Sequence, residues 1–84
     1  MEELVVDVRD LPTPEPLEKV LNTLPRLGEG IYIKMVHRME PALLFPILRQ
    51  NGFDYRLQKG EEQDVLIYIF LASDSAMREY IKGV

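Results

Sequence analysis

No cysteine occurs in these 84 residues. That absence excludes a disulfide, a thiolate zinc site, a persulfide and a cysteine-held iron–sulfur cluster. Long apolar runs are missing too: none approaches the roughly twenty residues of a membrane-spanning helix. The chain opens Met1-Glu2-Glu3, acidic where a secretory leader is basic, and no apolar leader core follows. A soluble cytoplasmic protein without a membrane partner is expected. Basic charge is not in excess, since 14 acidic and 10 basic side chains leave a net charge of −4. The cations are scattered from Arg9 to Lys82 rather than gathered into the basic face that nucleic acid requires, so no nucleic-acid partner is expected. Glycine-rich phosphate loops, nucleotide fingerprints and a nucleophile–histidine–acid set are also lacking. Histidine occurs once, at His37.

Apolar residues make up 46% of the chain, enough for a packed core, so disorder is not expected. The length predicts one domain over residues 1–84, near the lower size at which a single core holds without staples. Alternation predicts a first strand over Leu4–Val8, with Leu4, Val6 and Val8 on one face and Val5, Asp7 and Arg9 on the other. A helix over Pro14–Leu24 follows, with Thr13 as N-cap, Pro14 at its first position, and Leu17, Val20, Leu21 and Leu24 as its apolar stripe. Ile31–Val36 reads as the second strand and Glu40–Gln50 as the second helix, buried through Leu43, Leu44, Ile47 and Leu48. Pro46 then sits deep enough to remove a ladder bond and bend that helix. Asn51-Gly52 supplies a left-handed cap. Phe53–Lys59 and Asp64–Ala72 read as strands joined by a Gly60–Gln63 hairpin loop, and Ser73–Lys82 as a short final helix.

The order β-α-β-α-β-β with right-handed crossovers predicts an α+β two-layer sandwich, a mixed four-stranded sheet carrying two helices on one face, plus the C-terminal helix. The last strand is apolar on both sides: Val65, Ile67, Ile69 and Leu71 on one, Leu66, Tyr68 and Phe70 on the other. Only one set can face the two main helices, so the other needs a cover. The final helix, through Met77, Tyr80 and Ile81, is one; a second copy of the chain, forming a homodimer through the open sheet face, is the other.

Asp7-Val8-Arg9, Pro14-Glu15-Pro16-Leu17, and His37-Arg38-Met39-Glu40-Pro41 followed by Leu44, Pro46, Leu48, Gly52 and Phe53 resemble a known pattern. The chain resembles the TusA/SirA-like fold, and within it the family of "domain of unknown function 2249", over roughly residues 4–70. Sulfur carriers of that fold use a Cys-Pro-x-Pro motif, where the helix N-terminus lowers the pKa of a thiol that becomes a persulfide. Pro14 and Pro16 match the two prolines and Thr13 stands at the cysteine position. A threonine hydroxyl holds no sulfane sulfur and is a weak nucleophile without a base. The resemblance therefore implies the fold and argues against sulfur carriage. Relatives beside hemerythrin-like and redox proteins imply a redox or sulfur-related context, by analogy alone.

Two kinds of chemistry can be placed at the strand ends. If the first two strands are neighbours, their C-terminal ends bring Asp7 or Arg9 toward His37 and Glu40. One imidazole with two carboxylates, His37, Glu40 and Asp7, suits iron, manganese or zinc. Alternatively His37 carries a proton or donates a hydrogen bond to a small anionic ligand, helped by Arg9 or Arg38. The structural reading is a strand-end histidine paired with a carboxylate, an Asp7–Arg9 ion pair, and Thr13 as a cap worth about 1 kcal/mol. An anion site at the first helix is not expected, because Pro14 and Pro16 delete two donors and Glu15 adds negative charge.

The reading is a binding or accessory domain, not itself a persulfide carrier. It takes a small ligand or a protein partner through Arg9, Thr13, Glu15, His37 and Arg38, or through the sheet face. The alternative is a metal-dependent activity centred on His37, and a third is a relay component that docks without carrying sulfur. The sequence names no cofactor.

Overall fold

A computed structural model describes residues 1–84. The chain runs β1 (Glu2–Asp7), α1 (Glu15–Thr23), a 3-10 turn (Leu24–Arg26), β2 (Ile31–His37), α2 (Leu44–Gln50), β3 (Phe53–Lys59), β4 (Val65–Leu71) and α3 (Ser75–Lys82). The strands form one mixed sheet in the order β1-β2-β4-β3. β1 and β2 are parallel, with Val6 opposite Met35 and Asp7 opposite Val36, while β4 is antiparallel to both β2 and β3. The parallel pair needs a crossover, which α1 supplies, and the β3–β4 hairpin needs only a short loop. No helix is long and apolar enough to cross a membrane.

One face of the sheet carries α1 and α2. Val6 and Val8, Val20 and Leu24, Ile33 and Met35, Leu44 and Leu48, and Ile67 and Ile69 form a single buried cluster there. Alternation along each strand selects this set, and the helical spacing of Val20 and Leu24, and of Leu44 and Leu48, matches it from above. Each fully buried leucine contributes about 1.5–3 kcal/mol relative to an exposed one. On the opposite face Tyr32, Tyr68 and Phe70 pack under Met77 and Ile81 of α3. Of the two covers the sequence allows for the second apolar side of β4, α3 is the one this fold uses. It is fastened there. Asp74 Oδ1 accepts from the Met77 N–H at 3.0 Å and Oδ2 from the Gly30 N–H at 2.9 Å. The Arg78 guanidinium reaches Asp54 at 3.1 Å, and Arg56 donates to the Ile81 carbonyl.

Several boundaries differ from expectation. β1 starts two residues earlier than predicted, because the Glu2 N–H bonds the Gly30 carbonyl at 2.8 Å and extends the ladder. Thr13 does not cap α1. Pro12 to Glu15 closes a turn, with the Glu15 N–H on the Pro12 carbonyl at 2.9 Å. That turn places Pro14, which has no side-chain acceptor, at the cap position. α2 begins at Leu44 instead of Glu40, after a turn in which the Leu44 N–H bonds the Pro41 carbonyl at 2.9 Å. Pro46 is therefore the third helical residue, where its missing N–H breaks no intrahelical bond, and the expected bend has no cause. Leu43 falls before the helix and is 78% exposed instead of buried.

Candidate functional site

The late start of α2 opens a groove. Its floor is Met35 and Leu44, both fully buried, and one wall is Pro14, Pro16 and Leu17 from the start of α1. The other wall is the 38–43 turn, which contributes Met39, Glu40, Pro41 and Leu43. The groove encloses about 330 Å³, at the small end of ligand and side-chain pockets. Leu43, at 78% exposed, and Met39, at 60%, stand at its edge with most of their surface in water. Large apolar side chains beside a concave apolar surface mark a place of contact more often than two scattered ones do.

Thr13, His37 and Glu40 are the hydrophilic residues of this lining. His37 is the last residue of β2, and alternation puts it on the same face as Ile33 and Met35. Its Nδ1 accepts a hydrogen bond from the Arg38 backbone N–H at 2.8 Å. That bond assigns the ring proton of the neutral form to Nε2. Burial lowers the imidazole pKa below its ordinary value, and protonating Nδ1 would set two N–H groups against each other. His37 therefore presents a neutral ring whose Nε2–H makes no hydrogen bond within the chain. No carboxylate pairs with it. Thr13 is exposed and its hydroxyl makes no capping bond.

Asp7 is not brought to this site. Val6 and Val8 face the helices, so Asp7, between them, lies on the opposite side of the sheet from His37. Arg9 holds it there: Nη2 lies 2.7 Å from Asp7 Oδ2 and Nε donates to Oδ1 at 3.0 Å. These bonds draw the Asp7 pKa down to about 2. The second arm of the guanidinium reaches Asp64 at 2.9 Å and ties the end of β1 to the start of β4. The geometry thus brings His37 and Glu40 to one groove and leaves Asp7 out of it. No set of three histidine, aspartate or glutamate side chains stands close enough to hold a metal ion. A metal on Nε2 would also require moving its proton, against the bond that Nδ1 accepts.

The other sequence candidates divide between two places. Arg9 and Arg38 line a separate polar cleft with Glu61, Glu62, Gln63 and Asp64. Asp64 of this cleft, together with Asp7, already occupies the Arg9 guanidinium, and Glu61 and Glu62 add negative charge, so the cleft is not an anion site. Arg38 is exposed and makes only a 3.9 Å contact with Asp10. Glu15 is exposed in the first turn of α1, beside the groove wall formed by Pro14 and Pro16. Sequence reasoning missed Met39 and Leu43. Pro46 carried the signal that locates Leu43: a proline is tolerated in the first turn of a helix, so the helix has to start near Leu44.

The family model described as an uncharacterized conserved protein (DUF2249) matches residues 5–70. The match covers all but the start of β1 and the last residue of β4 in the sheet, together with α1, α2 and the whole groove, and stops before α3. No curated protein and no solved structure matches the chain.

Proposed function

The chain belongs to the DUF2249 family, and on that premise we propose that it is a non-catalytic accessory domain that binds another protein through the groove between α1 and α2. The observation that carries this reading is the exposure of Leu43 and Met39 at the edge of an apolar groove. A small molecule filling about 330 Å³ leaves most of those two side chains in water. A protein surface covers both and gains their burial, about 25 cal/mol for each Å² of apolar area removed from water.

Each groove residue then has a role. Met35 and Leu44 form a rigid floor, because both are part of the core. Met39, unbranched and flexible, adapts to the shape of the occupant. The Nε2–H of His37 donates to a carbonyl that arrives with the apolar group, a bond worth about 0.5–1.5 kcal/mol net. Thr13, where related carriers have a thiol, offers a hydroxyl that holds no sulfane sulfur. The redox or sulfur-related setting implied by the resemblance would then belong to the partner.

The test is a titration of ¹⁵N-labelled protein with benzamide, an apolar ring bearing one carbonyl. Saturable amide shifts confined to residues 13–17 and 35–44, and lost in the Met39→Ser/Leu43→Ser double variant, support the reading. Shifts elsewhere, or none, overturn it.

A further inference from the structure

Resting on the groove reading, we infer that the partner segment is an amphipathic helix with apolar anchors and basic flanks. The charge around the groove carries this step. Glu40 lines it, and Glu15 and Glu18 are exposed in the first turn of α1, which forms its wall. None of these three carboxylates is in an ion pair. No lysine or arginine lines the groove: Arg9 lies between Asp7 and Asp64, and Lys19, exposed on α1, stands outside the lining. Arg38 faces Asp10 at 3.9 Å and lines the polar cleft instead of the groove.

The groove is thus an apolar slot whose lining holds one unpaired carboxylate, Glu40, and no lysine or arginine, with Glu15 and Glu18 beside it. Glu15 and Glu18 also lie in the first turn of α1, where the helix dipole favours acidic side chains. A partner with acidic flanks meets repulsion here; one with lysine or arginine beside its apolar anchors meets attraction. The shape agrees. Two protruding apolar side chains on one wall, with the helix end of α1 opposite, accept anchors spaced at i, i+3 or i+4 along one helical face. Two further clefts of similar size are not apolar slots: one is lined by Arg9, Arg38 and the 61–64 loop, the other by Glu29, Ser73, Asp74 and Ser75 beside Leu71 and Ala76. The aromatic face is sealed by α3, and the polar cleft at Arg9 is internally paired.

The experiment uses two peptides of about 14 residues with leucine at helical spacing, one with lysine and one with glutamate on the polar face. Binding to the full chain is followed by amide shifts at low and moderate salt. The lysine peptide is expected to shift residues 13–17 and 35–44, and to weaken as salt rises. Glu15→Gln and Glu40→Gln each weaken it about threefold, as for rim charges, and Met39→Ser/Leu43→Ser abolishes the groove shifts. All four side chains are exposed, so these variants keep the fold, which the same spectra verify. Equal binding of the glutamate peptide overturns the inference. So does lysine-peptide binding that survives Met39→Ser/Leu43→Ser, which is charge adhesion without the groove. If neither peptide binds while benzamide still does, the inference falls and the groove reading stands; if benzamide fails too, both fall.

Discussion

Asp7 and His37 end two neighbouring parallel strands and occupy opposite faces of the sheet. The register sets this: Asp7 stands opposite Val36, one residue short of His37, and side chains alternate along each strand. The separation divides the strand ends into a neutral imidazole over an apolar groove and an ion-paired carboxylate on the far side.

The Asp7 carboxyl is expected to titrate near 2, well below its ordinary 3.8, because Arg9 bonds both its oxygens. Its contribution to stability is present above 3.8 and is lost as pH falls toward the folded value. Carboxyl ¹³C shifts followed against pH check this. Arg9→Ala is expected to return the midpoint to the ordinary range.

His37 works with the opposite group type but the same direction of pH. Its folded pKa lies below the unfolded 6.5, so below that pH the unfolded chain takes up a proton that the fold refuses. Stability is full above 6.5 and declines as pH drops toward the lowered folded value. Urea unfolding near pH 7.5 and near pH 5.5 is expected to show this loss, and His37→Gln to remove the part that histidine contributes.

Leu43 and Leu48 lie on the same stretch of chain and are expected to behave oppositely. Leu43→Ser leaves stability within about 0.5 kcal/mol, since the side chain is 78% exposed. Leu48→Ala costs about 2–5 kcal/mol, because it empties a fully buried position beneath α2. Denaturant midpoints of the two variants separate the groove edge from the core.

Asp74 joins α3 to the start of β2 through two backbone N–H groups. Asp74→Ala is expected to cost about 2 kcal/mol, from a lost cap and an orphaned Gly30 N–H. Hydrogen exchange is expected to quicken first in Ser75–Lys82, the helix that this residue fastens.

Most of the fold was legible from periodicity. Leu4, Val6 and Val8 alternate inward, Val20 and Leu24 fall at helical spacing, and the two-sided apolarity of β4 announced a second cover. The DUF2249 resemblance was legible too, through its prolines and the His37–Pro41 block. What escaped lay in turns. Two hydrogen-bonded turns, Pro12–Glu15 before α1 and Pro41–Leu44 before α2, delay the helices and change what Thr13 and Leu43 do. Such turns hold no periodic pattern, so an apolar stripe extended backward from Leu44 absorbs Leu43 by default. Asp7 and His37 both fall at strand ends in the sequence, and alternation across the sheet sets them on opposite faces.

The most direct measurement of the central claim is a set of intermolecular nuclear Overhauser contacts between benzamide ring protons and the methyl groups of the labelled protein. Contacts to Met35, Met39, Leu43 and Leu44, which share the groove, are expected. Contacts confined to Met77 and Ile81 beneath α3, or to no methyl at all, would contradict that claim.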